Sequence, residues 1–156
     1  MEPQATGAPQ ATAENTNCLE GYITYSNEFF RLCQPNGMTY QENFYTTPVN
    51  ETAVVVKFEN TREIIQVTTS FQGGWGGGTC DRESFVIDGN KTTVLVWDDN
   101  GGETCTSNIV NLVAVVGEWG ENENKQLPVA IDYQRKGEDF LSRKVFDDVL
   151  NSFKLK

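Results

Sequence analysis

The sequence predicts an α+β fold: an antiparallel β-sheet with a C-terminal amphipathic helix packed on one face. Three observations predict it. Apolar and polar residues alternate with period two along most of the chain, the mark of half-buried strands. Asn, Asp and Gly, residues that favour tight turns, separate these runs at strand-like intervals. In the last segment the apolar period lengthens to that of a helix. A chain of 156 residues fits one domain. Nine Phe, five Tyr and three Trp supply large core side chains although the apolar fraction is only 38%.

Residues 1–17 (MEPQATGAPQATAENTN) hold no large apolar side chain beyond Met1, so they cannot bury enough surface to offset the entropy of ordering. They read as a disordered linker or tether, with Met1 in the place of an upstream signal or lipid anchor. The competing reading is the ragged terminus of a cytosolic protein. A single β-rich domain is expected over residues 18–156.

Strands are expected at Gly21–Tyr25, Glu28–Cys33, Ala53–Glu59, Glu63–Phe71, Ser84–Ile87, Lys91–Trp97, Thr104–Val116 and Leu127–Arg135. Turns at Ser26-Asn27, Asn60-Thr61, Asp88-Gly89 and Asn100-Gly101-Gly102 make neighbours antiparallel hairpins. The stretch Ile109–Val116 is apolar at every position but Asn111, which predicts a central strand covered on both faces. At the C-terminus, Leu141, Val145, Phe146, Val149, Leu150 and Phe153 fall on one helical stripe with charged residues opposite. Arg143/Asp147 and Lys144/Asp148 add i,i+4 support, and Asp139 or Ser142 is placed to cap the helix.

The four cysteines are Cys18, Cys33, Cys80 and Cys105, none in a C-x-x-C arrangement, and the chain has no His. This disfavours zinc, and it removes the usual base for a Ser or Cys nucleophile. An even count after a linker-like start favours two disulfides over four buried thiols, hence an oxidising compartment. A two-residue turn at Ser26-Asn27 would leave Cys18 and Cys33 nearly opposite. A meander puts Cys80 and Cys105 on either side of the Val96-Trp97 strand, at roughly twice the ~4.8 Å strand spacing and beyond the ~7 Å Cα limit for a disulfide. Either Cys80 lies in a loop folded back over the sheet, as the glycines of 73–78 permit, or the meander is wrong.

The ending Phe146-Asp147-Asp148-Val149-Leu150-Asn151-Ser152-Phe153-Lys154-Leu155 resembles the F-D-x-I-L-x-T-F-K-F tail of small exported bacterial proteins and lipoproteins of the PsbP-like class. Tyr25-Ser26-Asn27-Glu28-Phe29-Phe30 followed by Gln34-Pro35-Asn36-Gly37-Met38 is similar to that class's Y-x-N-x-x-G-F…Y-P-x-G-W opening. Gln34, Met38 and Ser152 depart from the usual Tyr, Trp and Thr. The resemblance covers the two ends of the domain only, and it implies an antiparallel sheet flanked by helices. It implies little about function, because that fold serves many roles.

Twelve basic against twenty-two acidic residues give a net charge of −10, which repels nucleic acid and anionic lipid. No apolar run approaches the ~20 residues of a membrane-spanning helix. The glycine-rich stretch Phe71–Cys80 lacks the Lys and Ser or Thr of a phosphate-binding loop. Its Trp75, with Trp97 and Trp119, offers stacking platforms for a sugar or peptide, against the plainer reading of a tryptophan packed on a sheet edge. Asp98, Asp99, Asn100 and Glu103 form a weak Ca²⁺ candidate, although hairpin turns favour the same residues. Glu118, Glu121 and Glu123 read as a solvated acidic loop. Asn50-Glu51-Thr52 and Asn90-Lys91-Thr92 match the glycosylation sequon.

These features point to an exported, surface-tethered, non-catalytic module for macromolecular interaction or envelope assembly. Its expected partner is a protein or glycan, with no cofactor, nucleic acid or transmembrane segment. The alternative is a carbohydrate- or peptide-binding domain using the tryptophans, and a carboxylate hydrolase ranks third.

Overall fold

A computed structural model describes residues 18–47, 51–70, 77–117 and 128–156. The expected linker, Trp75, Trp119, the acidic loop and Asn50 lie outside the described residues. The chain runs β1 (Tyr22–Ser26), β2 (Phe30–Pro35), β3 (Thr39–Thr46), β4 (Thr52–Glu59) and β5 (Glu63–Thr68). Then come β6 (Asp81–Ile87), β7 (Asn90–Asp98), β8 (Ile109–Val116), β9 (Val129–Arg135), the helix α1 (Arg143–Ser152) and a short β10 (Lys154–Leu155). All pairings among the described residues are antiparallel, giving one sheet in the order β3-β4-β5-β9-β8-β7-β6 and a smaller one in the order β1-β2-β10.

The fold is therefore mostly β, with two sheets and one ten-residue helix, and the expected α+β arrangement is overturned. The reason lies at the end of the apolar stripe. Ser142 caps α1 by accepting from the Val145 N–H, and Phe146, Val149 and Leu150 are buried on it. Phe153, however, is extended at φ −70°, ψ 133°. From there Lys154 and Leu155 pair with Arg31 and Phe30. A helical stripe counts buried positions and cannot see that its last member lies past the helix, at the C-cap.

Two strands escaped the sequence reading. β10 is too short to alternate, and β3 is an exposed edge strand whose Tyr40, Phe44 and Tyr45 break the period-two pattern. The first hairpin also differs in register, because Ser26 is a strand residue paired with Arg31 and the turn spans residues 27–30. The Asn27 side chain explains the longer loop: its Oδ1 accepts from the Phe29 and Phe30 N–H groups at 2.7 and 2.9 Å. Asn60 does the same for Arg62 and Glu63. Only Asp88-Gly89 is the expected two-residue turn, with φ of 52° and 80°, the backbone that Asp-Gly tolerates and most pairs do not.

Both disulfides are present, Cys18–Cys33 and Cys80–Cys105, with Cα separations of 5.7 and 5.0 Å. The meander β6-β7-β8 is also present, so the geometric conflict is resolved elsewhere. β8 begins at Ile109, not Thr104, after a register shift at Trp97/Asp98. Cys105 thus lies in the β7–β8 loop, free to reach Cys80, which stays beside the sheet with its N–H donated to the Val96 carbonyl at 2.8 Å.

The core lies between one face of the large sheet and the layer formed by β1, β2, β10 and α1. Val56, Phe58, Ile65, Val67, Leu112 and Ile131 meet Tyr25, Phe30, Leu32, Val149 and Phe153 there. Tyr133 stacks on Phe146 with centroids 5.9 Å apart. Each large side chain so buried contributes about 1.5–3 kcal/mol.

Candidate functional site

Side chains alternate along a strand, so the neighbours of these core residues point to the opposite, outer face of the large sheet. Register aligns Gln41, Lys57, Gln66, Asp132, Val113 and Leu95 in one row across β3, β4, β5, β9, β8 and β7. The adjacent row holds Ile64, Gln134, Asn111 and Trp97. The outer face is thereby divided. Around β8 and β7 it is apolar and buried, with Val113 at 0% and Leu95 at 5% exposure. Toward β3 it is polar and only partly covered.

Asp132 sits at the boundary. Its Oδ1 accepts from Asn111 Nδ2 at 2.8 Å, and the same amide donates to the Tyr133 carbonyl at 2.9 Å, which fixes its orientation. Burial raises the Asp132 pKa above the usual aspartate value, with the Asn111 hydrogen bond opposing part of that rise. Oδ2 takes no hydrogen bond from any described residue, and neither do the side-chain amides of Gln41, Gln66 and Gln134. Two strands from Asp132, on β4, the Lys57 ammonium is 3.7 Å from Glu59, which Lys136 also contacts at 3.1 Å.

Among the expected ligand-binding tryptophans, Trp97 is half-buried on this face beside Asn111. Its Nε1 leans on the Gly77 carbonyl at 3.4 Å. The Ca²⁺ candidate is a loop device. Asp98 is buried, and its carboxylate accepts from the Asn100, Gly101 and Thr106 N–H groups at 3.1, 3.1 and 2.8 Å. Those bonds, the one from Thr106 foremost, hold its pKa below the usual aspartate range. Asp99 meets Asn108 at 3.5 Å, and Glu103 is exposed. No group of three or more metal-ligating side chains occurs among the described residues.

The tyrosine and arginine shifts come from packing within and between the layers. Tyr22 donates to Asp148 at 2.8 Å and, through burial and that carboxylate, is pushed up to about 12. Tyr133 donates to Glu63 at 2.6 Å and Tyr25 to Glu42, and both hydroxyls are raised, by burial first. Arg143 binds Glu83 through two bonds of 2.6 and 3.1 Å, tying α1 to β6.

The sequence reading missed Asp132, Gln66 and Gln134 as a group. Their signal was a polar residue between two buried apolar ones, Ile131-Asp132-Tyr133 and Ile65-Gln66-Val67. Alternation marks such residues as outward-facing but cannot say which of them share a row. The chain matches no protein-family model, no curated protein and no solved structure. The resemblance of its ends to PsbP-like proteins rests on those end residues alone.

Proposed function

We propose that this chain is an extracytoplasmic, non-catalytic binding module that engages its partner through the outer face of the large sheet. The observation that carries this reading is Asp132, a carboxylate kept partly buried in mid-sheet with one oxygen unpaired among the described residues and free amides beside it. Burying a carboxylate this way costs stability, and such costs gather where a protein contacts something else. Two disulfides are consistent with an oxidising environment outside the cytoplasm. No helix among the described residues is long and apolar enough to cross a membrane. The tyrosine and arginine pairs are spread over both layers rather than gathered in one cleft, which supports binding over catalysis.

Side-chain amide resonances test it. Titrating isotope-labelled protein with separated protein and polysaccharide fractions of an extracytoplasmic extract should shift the Gln41, Gln66, Gln134 and Asn111 signals. Shifts confined to β1, β2 and α1 would refute the assignment of the face.

A further inference from the structure

We propose that the free edge of β3 is a docking strand, on which an extended, lysine- or arginine-bearing segment of another polypeptide joins the large sheet as an additional strand. This goes beyond the outer-face reading and does not depend on Asp132.

The first support is the backbone. β3 pairs with β4 alone among the described residues, over eight positions without a register shift. The Thr47 N–H donates to the Glu51 carbonyl at 2.8 Å, in phase with that register. On the other side of β4, the Thr69 N–H donates to the Val54 carbonyl, in phase with the β4–β5 register. Bonding alternates along an antiparallel ladder, so both bonds assign the odd-numbered residues of β3 to β4. The N–H and C=O groups of Tyr40, Glu42, Phe44 and Thr46 therefore point away from the sheet, and no described residue pairs with them. A row of donors and acceptors at strand spacing is matched by one kind of ligand, another extended chain.

The second is what the edge lacks. Sheets guard their edges with Lys, Pro, bulges or short strands, and β3 has none of these. The opposite edge, β6, opens with Asp81, Arg82 and Glu83, and Arg143 of α1 clasps Glu83 at 2.6 Å. β1, an edge of the small sheet, is five residues long. β3 instead exposes Phe44 at 55% and Tyr45 at 37%, one on each face.

The third is charge, which separates a foreign segment from a second copy. β3 carries one charged residue, Glu42, and among the described residues its hydrogen-bond partner is the Tyr25 hydroxyl. A second copy would bring another net charge of −10 and a second Glu42 to the same edge. Glu42 and Phe44 share the inner face, opposite Val56 and Val54. A Lys or Arg across from Glu42, with an apolar side chain next to it over Phe44, answers both.

Hydrogen exchange in the free protein should be fast at the Tyr40, Glu42, Phe44 and Thr46 amides and slow at Gln41, Asn43 and Tyr45. The probe is a blocked octapeptide in which Thr alternates with Val and one central Val is replaced by Lys. It should slow exchange at the four even-numbered amides, and replacing its Lys by Glu should weaken binding about threefold or more. Phe44→Pro removes an outward N–H and leaves the bonds to β4 in place, so it should abolish binding with the fold retained. Phe44→Ala should weaken binding, and Glu42→Gln should erase the preference for Lys over Glu. Slow exchange at the even-numbered amides of the free monomer would overturn the proposal, because the chain itself then closes the edge. So would the same protection accompanied by dimers in sedimentation, which would make a second copy the occupant. Failure of the peptide to protect these amides, or binding that Phe44→Pro leaves unchanged, would overturn it as well. The Gln66, Gln134 and Asn111 side-chain amides report on the outer face and not on this edge, so either reading can fail without the other.

Discussion

The inner layer boundary pairs the hydroxyls of Tyr22, Tyr25 and Tyr133 with carboxylates, whereas the outer face of the large sheet leaves an Asp132 oxygen and three glutamine amides without a described partner. On β9 the two faces are one residue apart, at Asp132 and Tyr133. On the inner side these hydroxyls persist because a bond to a carboxylate repays their desolvation, although the buried Gln34 Oε1 on β2 has no partner among the described residues. On the outer side nothing within the described residues plays that part. The comparison teaches that burial alone does not rank residues by purpose; pairing and the face a residue stands on must be read beside it.

The inner face should dominate stability. Phe146→Ala removes a side chain with 1% exposure that stacks on Tyr133 and should cost about 3–5 kcal/mol. That is much of a domain's ~5–15 kcal/mol, read as a lower urea midpoint. An unchanged midpoint would mean that the layer of β1, β2, β10 and α1 is not bound to the sheet as described. Next in size are the disulfides. Losing either Cys18–Cys33 or Cys80–Cys105 by paired Cys→Ser substitution should cost about 2–4 kcal/mol, and non-reducing peptide mapping should recover those two pairs.

Asp98 should show a pH signature. Its depressed pKa means that its contribution is present above the unfolded aspartate value and lost as pH falls through the folded one. Asp98→Asn should therefore lower the melting temperature at neutral pH, with the gap to wild type closing in acid. Asp132 should show the opposite. Its raised pKa makes the charge a cost above the folded value, relieved as pH falls through it. Asp132→Asn, which keeps an acceptor for Asn111, should raise the melting temperature at neutral pH and lose that advantage in acid. A lower melting temperature would make Asp132 a structural residue like those inside and would break the comparison. Smallest of all, Gln66→Ala should shift stability by no more than about 0.5 kcal/mol.

Much of this was legible in the sequence. Eight of the strands lie where alternation placed them, with ends displaced by a few residues, and both disulfides join the expected cysteines. What was illegible depended on side chains bonding the backbone of their own loops. Asn27 and Asn60 lengthen their turns, and Asp98 folds the loop that brings Cys105 to Cys80. The fold class failed because the C-terminal stripe yields a helix of only ten residues and the first hairpin, joined by Lys154 and Leu155, forms a second sheet beside it. The site was legible residue by residue and illegible as a row, since a row joins strands far apart in the chain.

The pairing of β10 with β2 bears on the order of events in folding. Leu155 meets Phe30, and the Lys156 N–H reaches the Phe29 carbonyl at 3.0 Å. The segment that closes the small sheet is thus far along the chain from the strand it covers. Until it docks, β2 has an open edge and Phe30 lacks its Phe153 neighbour, and long-range contacts of this kind form late. A chain built this way keeps one strand edge open to unwanted pairing until its two ends meet.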